Sequence, residues 1–266
     1  MNFFIDPADL NGTDYYAVVT LYAENGTVTS TIPYADWEVR PDYLVVTQKG
    51  LAACQMTDEI RVVIYNGDGS QASYVWNDSI RNCAMRVLED QSDEGKALIV
   101  NMLNYGAAAQ NYFKYKTHDL ANSGISDGSA IEIPNQGEHT ISVRGRAEGV
   151  RFYGSSLSFR DKIAVRYYFE PVGNIQQCRF AINGIPCTPQ LKDGLYYVEV
   201  DDILPQDLDQ DITLTVTDAQ GDVLKVNYSP IAYIVRMNQK GSDTMKNLVK
   251  ALYNYHLAAK AYCAAV

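Results

Sequence analysis

Apolar and polar positions alternate along much of this chain in short runs, with turn residues between them. YYAVVTLYAENGTVTSTIPYADWEV (15–39) supplies opening strands, and IRVVIY (60–65), DKIAVRYYF (161–169) and ITLTVT (212–217) step with period two and predict β-strands. NGDG (66–69) and AQGD (219–222) supply glycine-bearing turns after two of them. Two other segments step by three and four residues. Leu98, Met102, Tyr105, Ala109 and Tyr112 trace one face of a long helix, and Leu248, Leu252, Tyr255, Ala259 and Tyr262 trace another. Shorter helical stretches begin at Ser79 and Ser229, residues suited to an N-cap.

The two long helices carry nearly the same text. A shift of 150 residues lays Ser92, Asp93, Lys96, Leu98, Asn104, Tyr105, Ala108, Ala109 and Tyr112 on identical types at Ser242, Asp243, Lys246, Leu248, Asn254, Tyr255, Ala258, Ala259 and Tyr262. Upstream, a shift of 152 pairs Leu51 with Ile203, Met56 with Leu208 and Ile60 with Ile212. The predicted architecture is therefore α+β, with tandem duplicated units, each a β-sandwich or small antiparallel sheet packed on a helical hairpin. The first unit is expected over residues 1–115, the second over 137–266. Residues 116–136, rich in Ser, Gly, Asn and Asp, read as the linker. The repeated helix positions lie mostly on the inward stripe, which makes the repeat scaffold and not a doubled active site. Asn104 and Asn254 stand beside the stripe and are expected to bond a loop or strand carbonyl.

With 266 residues, 47% hydrophobic and 20% charged, the chain has a globular composition. Its net charge of −10, with no cluster of Lys and Arg, argues against nucleic acid as a partner. No apolar run is long enough for membrane insertion, and MNFFIDPADLNGTDYY lacks the order of a signal peptide. That reading fits a cytoplasmic protein or an excised piece of an exported one. The cysteines, Cys54, Cys83, Cys178, Cys187 and Cys263, show no metal-ligand spacing and read as free thiols. A two-residue hairpin at Asn183-Gly184 would set Cys187 opposite Phe180, leaving Cys178 on the diagonal and a disulfide disfavoured.

Catalytic signals are missing from the sequence. His118, His139 and His256 are isolated, no nucleophile motif or phosphate loop is present, and no pair of carboxylates stands out for glycoside hydrolysis. The chain reads as non-enzymatic and without a cofactor. Asp207, Asp209 and Asp211, with Asp218 beyond, have the spacing of a calcium loop, so Ca²⁺ is a weak candidate. Ile212 stands where that loop needs glycine, and an acidic turn entering a strand is the simpler reading. Asn66, Asp68 and Ser70 fall in a hairpin turn and are explained by it.

Tyrosine is the unusual entry, with 20 residues against 7 Phe and 2 Trp. Exposed aromatic rings beside Asp, Asn and Arg suit a sugar: the ring meets the apolar side of a pyranose and the polar groups bond its hydroxyls. Tyr34, Trp37 and Tyr43 surround a proline-containing turn, and Tyr74 and Trp76 flank a hairpin. In DKIAVRYYF, Lys162, Ala164, Arg166 and Tyr168 share the face away from the core. Those aromatics with Arg166 are the candidate ligand residues, Trp37 and Trp76 foremost.

The stretches NMLNYGAAAQNYFKYKTHDLAN, NLVKALYNYHLAAKAY and FYGSSLSFRDKIAVRYYF resemble a repeat-bearing module of large multidomain surface proteins of anaerobic Gram-positive gut bacteria. The resemblance spans about residues 40–266 and brings no catalytic residues with it. It implies export and attachment to the cell surface through other parts of a parent protein. In an anaerobe, free cysteines in an exported protein are unremarkable. The leading expectation is a non-catalytic extracellular module binding polysaccharide or host glycan. The competing one is an adhesin or spacer that meets a host or partner protein, with a hydrolase third. Exposure of Trp37, Trp76 or Tyr168 beside converging polar groups would favour glycan, and burial the alternative.

Overall fold

A computed structural model describes residues 1–12, 14–73, 75–125, 133, 141–159, 162–201 and 203–266. The chain divides into two units, Met1–Asp127 and Gly128–Val266, and its architecture is α+β, with antiparallel sheets and four α-helices among the described residues.

Unit 1 contains β1 (Asn2–Ile5), β2 (Tyr16–Ala23), β3 (Gly26–Pro33), β4 (Glu38–Val39), β5 (Leu44–Thr47), β6 (Glu59–Tyr65) and β7 (Trp76–Asp78). Then come α1 (Ile80–Val87) and α2 (Asp93–Phe113). The sheets run in the orders β1-β5-β4 and β3-β2-β6-β7. Alternation puts Ala17, Val19 and Leu21 of β2 and Ile60, Val62 and Ile64 of β6 on one face. They share a single buried cluster with Phe3, Ile5, Leu44 and Val46 of the other sheet. Ser79 and Ser92 cap their helices as predicted, their Oγ atoms accepting from Asn82 N at 3.1 Å and Gly95 N at 3.2 Å.

The buried face of α2 is wider than the predicted stripe. Tyr105 and Ala109 are buried and Leu98, Met102 and Tyr112 half-buried, but Leu103, Gly106 and Gln110 are buried as well. The added positions face two further pieces of chain: the 3₁₀ turn Ala53–Gln55 and the segment after the helix. Residues 116–125, expected to begin a linker, are instead fastened to unit 1. Gln110, fully buried, donates from Nε2 to Asp119 O at 2.9 Å and to Thr57 Oγ1 at 3.2 Å, and its Oε1 accepts from Ala121 N at 2.8 Å. Arg81 pairs with Asp119 at 2.7 Å, and Asn122 Nδ2 donates to Asn104 Oδ1 at 2.9 Å, so Asn104 meets a side chain and not the expected carbonyl. Tyr115 donates to the buried Asp58 at 2.6 Å, while Lys116 Nζ lies 2.7 Å from the other carboxylate oxygen. Burial and the Asp58 bond push the Tyr115 phenol up to about 12. Most of the expected linker beyond residue 125 lies outside the described residues.

Unit 2 contains β8 (Ser142–Gly145), β9 (Val150–Phe159), β10 (Ile163–Pro171), β11 (Arg179–Ile182), β12 (Ile185–Cys187), β13 (Gln190–Lys192), β14 (Leu195–Val200), β15 (Ile212–Thr217) and β16 (Val223–Tyr228). These form sheets in the orders β13-β14-β10-β9 and β12-β11-β15-β16-β8. Then come α3 (Pro230–Lys240) and α4 (Asp243–Ala265). Inward rings meet between strands: Phe169 lies 5.3 Å from Phe180 and 5.8 Å from Phe152. Tyr167 is fully buried, its hydroxyl donating to Ile212 O at 2.9 Å. Ser242 caps α4 through its Oγ; Ser229 makes no side-chain cap bond, and Pro230, which has no N–H, opens that helix. Along α4, Leu248, Leu252 and Ala259 are buried as expected, Tyr255 and Tyr262 half-buried, and His256 is added to the buried set.

Candidate functional site: the tyrosine face of the second unit

β10 presents two faces. Val165, Tyr167 and Phe169 are completely buried on one, as the alternation required. Arg166 and Tyr168 are half-buried on the other, whereas Ala164, expected to be wet, is buried. Pairing to β14 sets Tyr168 opposite Tyr197 and Arg166 opposite Glu199. Pairing to β9 sets the same two residues opposite Gly154 and Ser156. Gln190 of β13 continues the rung beyond Tyr197. One surface thus brings together two tyrosines, an arginine, a glutamate, an amide and a hydroxyl.

The polar groups of this face hold the rings. Tyr197 OH donates to Gln190 Oε1 at 2.5 Å, and the Tyr168 and Tyr197 rings are 6.0 Å apart and tilted at 39°. Arg166 Cζ lies 5.0 Å from the Tyr197 ring centroid, within cation–π range, and its Nε donates to Glu199. That bond to Glu199 holds the guanidinium above its ordinary pKa, so its charge is fixed at every working pH. Opposite Tyr168, Gly154 leaves open space where a side chain would stand. The register of β9 against β10 slips next to it, between Tyr168 and Phe169, and Tyr153 at the slip is 64% exposed. A shallow floor bordered by ring and charge can stack an apolar ring face and bond hydroxyls around its rim.

Of the residues singled out in the sequence, only Arg166 and Tyr168 belong to this surface. Trp37 is a correction: 6% exposed, it sits in the unit 1 core with its Nε1 donating to Ile32 O at 3.2 Å. Alternation cannot separate an outward Trp from one folded under by a 3₁₀ turn, here Tyr34–Asp36, and Trp is large enough to close the end of a core. Trp76 is half-buried against the same cluster. Tyr34 keeps partial exposure but packs on Trp37 at 5.2 Å, and Tyr43 packs edge-on against Phe4 at 5.4 Å. Tyr74 lies outside the described residues. Tyr197, Glu199 and Gln190 were missed, although YYVEV carries the alternation that would have placed Tyr197 and Glu199 together.

The calcium candidates do not gather. Asp207 ends a 3₁₀ turn, and Asp209 is paired with Lys260 at 2.5 Å. The carboxylate of Asp218 is taken up by Glu148 N at 2.6 Å, Asp222 N at 2.9 Å and Gln220 N at 3.0 Å, which hold it below the usual carboxylate range. Asp211 joins no ligand group, and among the described residues no cluster of three or more His, Cys, Asp and Glu could hold a metal ion. Asp68 organises its hairpin turn through Ser70 N at 2.8 Å, as turn chemistry predicted. All five cysteines are free, and Cys187 is opposite Phe180, as the hairpin reading required.

A concavity of about 350 Å³ lies in unit 1 and is lined by Glu59, Asn77, Asp78, Arg81, Asn82 and Asp119 among others. Its Asp78 and Asp119 are already held by Arg86 and Arg81, and among the described residues no aromatic ring lines it. No helix among the described residues is long and apolar enough to cross a membrane. The chain matches no protein-family model and no curated protein.

Proposed function

We propose that this chain is a non-catalytic module that binds carbohydrate, polysaccharide or host glycan, through the outer face of β9, β10, β13 and β14. The observation that carries the reading is the rung Gln190, Tyr197, Tyr168, Gly154, with Arg166 and Glu199 on the next rung. Paired rings beside fixed donors and acceptors match the two demands of a pyranose, an apolar face and a rim of hydroxyls. We further propose that the two units descend from one ancestral unit, a sandwich on a helical hairpin, and belong to an exported, surface-attached parent protein. Serine caps at Ser92 and Ser242 and the 3₁₀ turns at Ala53–Gln55 and Pro205–Asp207 fall in the matched registers and support the duplication.

The burial of Trp37 favours a second reading, an adhesin or spacer that meets a partner protein, because it removes the largest proposed sugar platform. Retention on a panel of insoluble polysaccharides and mucin glycans separates the two. Under the glycan reading one glycan class retains the chain, and Tyr168→Ala or Tyr197→Ala weakens retention at least tenfold, or about 1.4 kcal/mol, with the fold intact. Failure of every glycan to retain the folded chain would overturn that reading and leave the protein-partner one.

A further inference from the structure

Sheet edges expose unpaired N–H and C=O groups, and most edges in this protein carry a device that discourages pairing. β12 contains Pro186, β13 is three residues long and ends in Lys192, β8 carries Arg144, and β9 has its register slip and Arg151. β4 has two residues and β7 three, ending in Asp78. β1, at four residues, is short.

β3 has none of these. It is an edge strand of eight residues, GTVTSTIP, uncharged throughout, with its only proline at the last position. Its register with β2 runs without a slip from Ala23↔Gly26 to Tyr16↔Pro33. The two-residue turn at Glu24-Asn25 makes Ala23 and Gly26 a hydrogen-bonded pair. The bond from Tyr34 N to Tyr15 O, 3.2 Å, shows the same parity at the far end. Gly26, Val28, Ser30 and Ile32 therefore bond towards β2, and the N–H and C=O groups of Thr27, Thr29 and Thr31 point out of the sheet. Those three residues are exposed, and no hydrogen bond of their backbone to another described residue is found outside the β2 ladder. Val28 is 61% exposed beside them.

We propose that this edge pairs with β3 of a second copy of the chain, antiparallel and centred on Thr29, so that the two four-stranded sheets become one continuous sheet. The outward groups are symmetric about Thr29. A two-fold arrangement sets Thr29 against Thr29 and Thr27 against Thr31, and each such pair exchanges both of its bonds. Val28 then faces Ser30, and the cross-strand threonines pair favourably. No charge enters the seam, which matters because each copy carries −10 overall. Repulsion between copies acts only at long range, and added salt strengthens the dimer by screening it.

The test is sedimentation of the full chain from micromolar to millimolar concentration at low and high salt, with hydrogen exchange read at single amides. A monomer–dimer equilibrium favoured by salt is expected, with protection appearing at the amides of Thr27, Thr29 and Thr31 as the dimer forms. Thr29→Lys should move the equilibrium to monomer by tenfold or more with an unchanged circular dichroism spectrum. Thr29→Pro should do the same where it folds. A chain that stays monomeric at every concentration overturns the proposal. So does a dimer that survives Thr29→Lys, or one that leaves those three amides unprotected.

Discussion

At Gly106, α2 comes so close to the turn Ala53–Gln55 that a Cβ there would lie 3.2 Å from Ala53 O and 2.5 Å from Met56 Sδ. At His256, the position 150 residues on, α4 spans the matching gap with an imidazole whose Nδ1 lies 2.7 Å from Pro205 O. Gln110 bonds Thr57 in unit 1, and at the matching positions Lys260 pairs with Asp209 in unit 2. Unit 1 lets backbones touch and covers the helix with the segment 115–125, Ala121 sitting where it would be 3.1 Å from a Cβ on Gly106. Unit 2 fills the space from its own helix, with the His256 ring tilted against that of Tyr253 at 6.0 Å. One helix face is thus buried in two ways: by a borrowed segment that needs a glycine, or by larger side chains that need a hydrogen-bonding carbonyl.

The largest expected effect comes from moving one solution into the other unit. Gly106→His places an imidazole where Ala53, Met56 and Ala121 already touch, and overpacking of a dense core should destabilise unit 1 by about 3 kcal/mol. Urea unfolding followed by segment-resolved hydrogen exchange should show the loss confined to unit 1. A neutral result would mean that α2 can slide off the turn and that the glycine is not required.

Next comes the cover itself. Gln110→Ala removes the bonds to Asp119 O, Ala121 N and Thr57 Oγ1 in one step and leaves buried backbone groups without partners, at a cost of about 2 kcal/mol. Protease cleavage and amide exchange in 116–125 should rise well before global unfolding. Unchanged protection there would show that Arg81 and Asn104 hold the segment without it.

These contrasts explain what could and could not be read from the sequence. Helix starts, the register at Phe180 and Cys187, and the inner face of β10 are local, fixed by a cap residue, a two-residue turn or a period of two. The segment 116–125 escaped because its anchors are long-range: Gln110 bonds the main chain of Asp119 and Ala121, Arg81 pairs with the Asp119 carboxylate and Asn104 meets Asn122, and little apolar pattern marks the segment. Trp37 escaped because a 3₁₀ turn, not a strand, decides where it points. The tyrosine face was half legible. Arg166 and Tyr168 share a face by alternation, but Tyr197, Glu199 and Gln190 join them only through the order β13-β14-β10-β9, which is long-range pairing.

Acid should separate the units more gently. Burial lowers the pKa of His256, although Pro205 O and Asp209 favour its charged form, with Asp207 also nearby and Lys260 opposing. Because the folded value is depressed, the unfolded chain binds the proton first. Stability present above the ordinary histidine pKa is lost as pH falls through it, between roughly 7 and 5.5. Burial works against the charge of Asp209, but Lys260 outweighs it and holds the carboxylate below its usual range, so this pair persists until more acid conditions. Gly106, Gln110 and Thr57, at the matching places in unit 1, do not titrate. Unit 2 should therefore lose midpoint stability over that window, and His256→Gln should flatten the response of unit 2. Burial of the Met1 amino group gives unit 1 a loss of its own, beginning at higher pH. A loss in unit 2 that His256→Gln leaves unchanged would remove His256 as the cause.

The smallest effect distinguishes the two asparagines, which the sequence makes identical. Asn104 Oδ1 accepts from Asn122, a residue of the covering segment, whereas Asn254 Oδ1 is buried with no hydrogen-bond partner among the described residues. A buried acceptor without a donor is a standing cost, and an apolar side chain of similar shape removes it. Asn254→Leu should accordingly be neutral or stabilise unit 2 by up to about 1 kcal/mol, while Asn104→Leu strips Asn122 of its acceptor and should cost unit 1 about 1 kcal/mol. The opposite signs carry the inference more than the sizes do. If both variants destabilise alike, the asparagines do the same work in both helices, and the covering segment is not what sets the units apart.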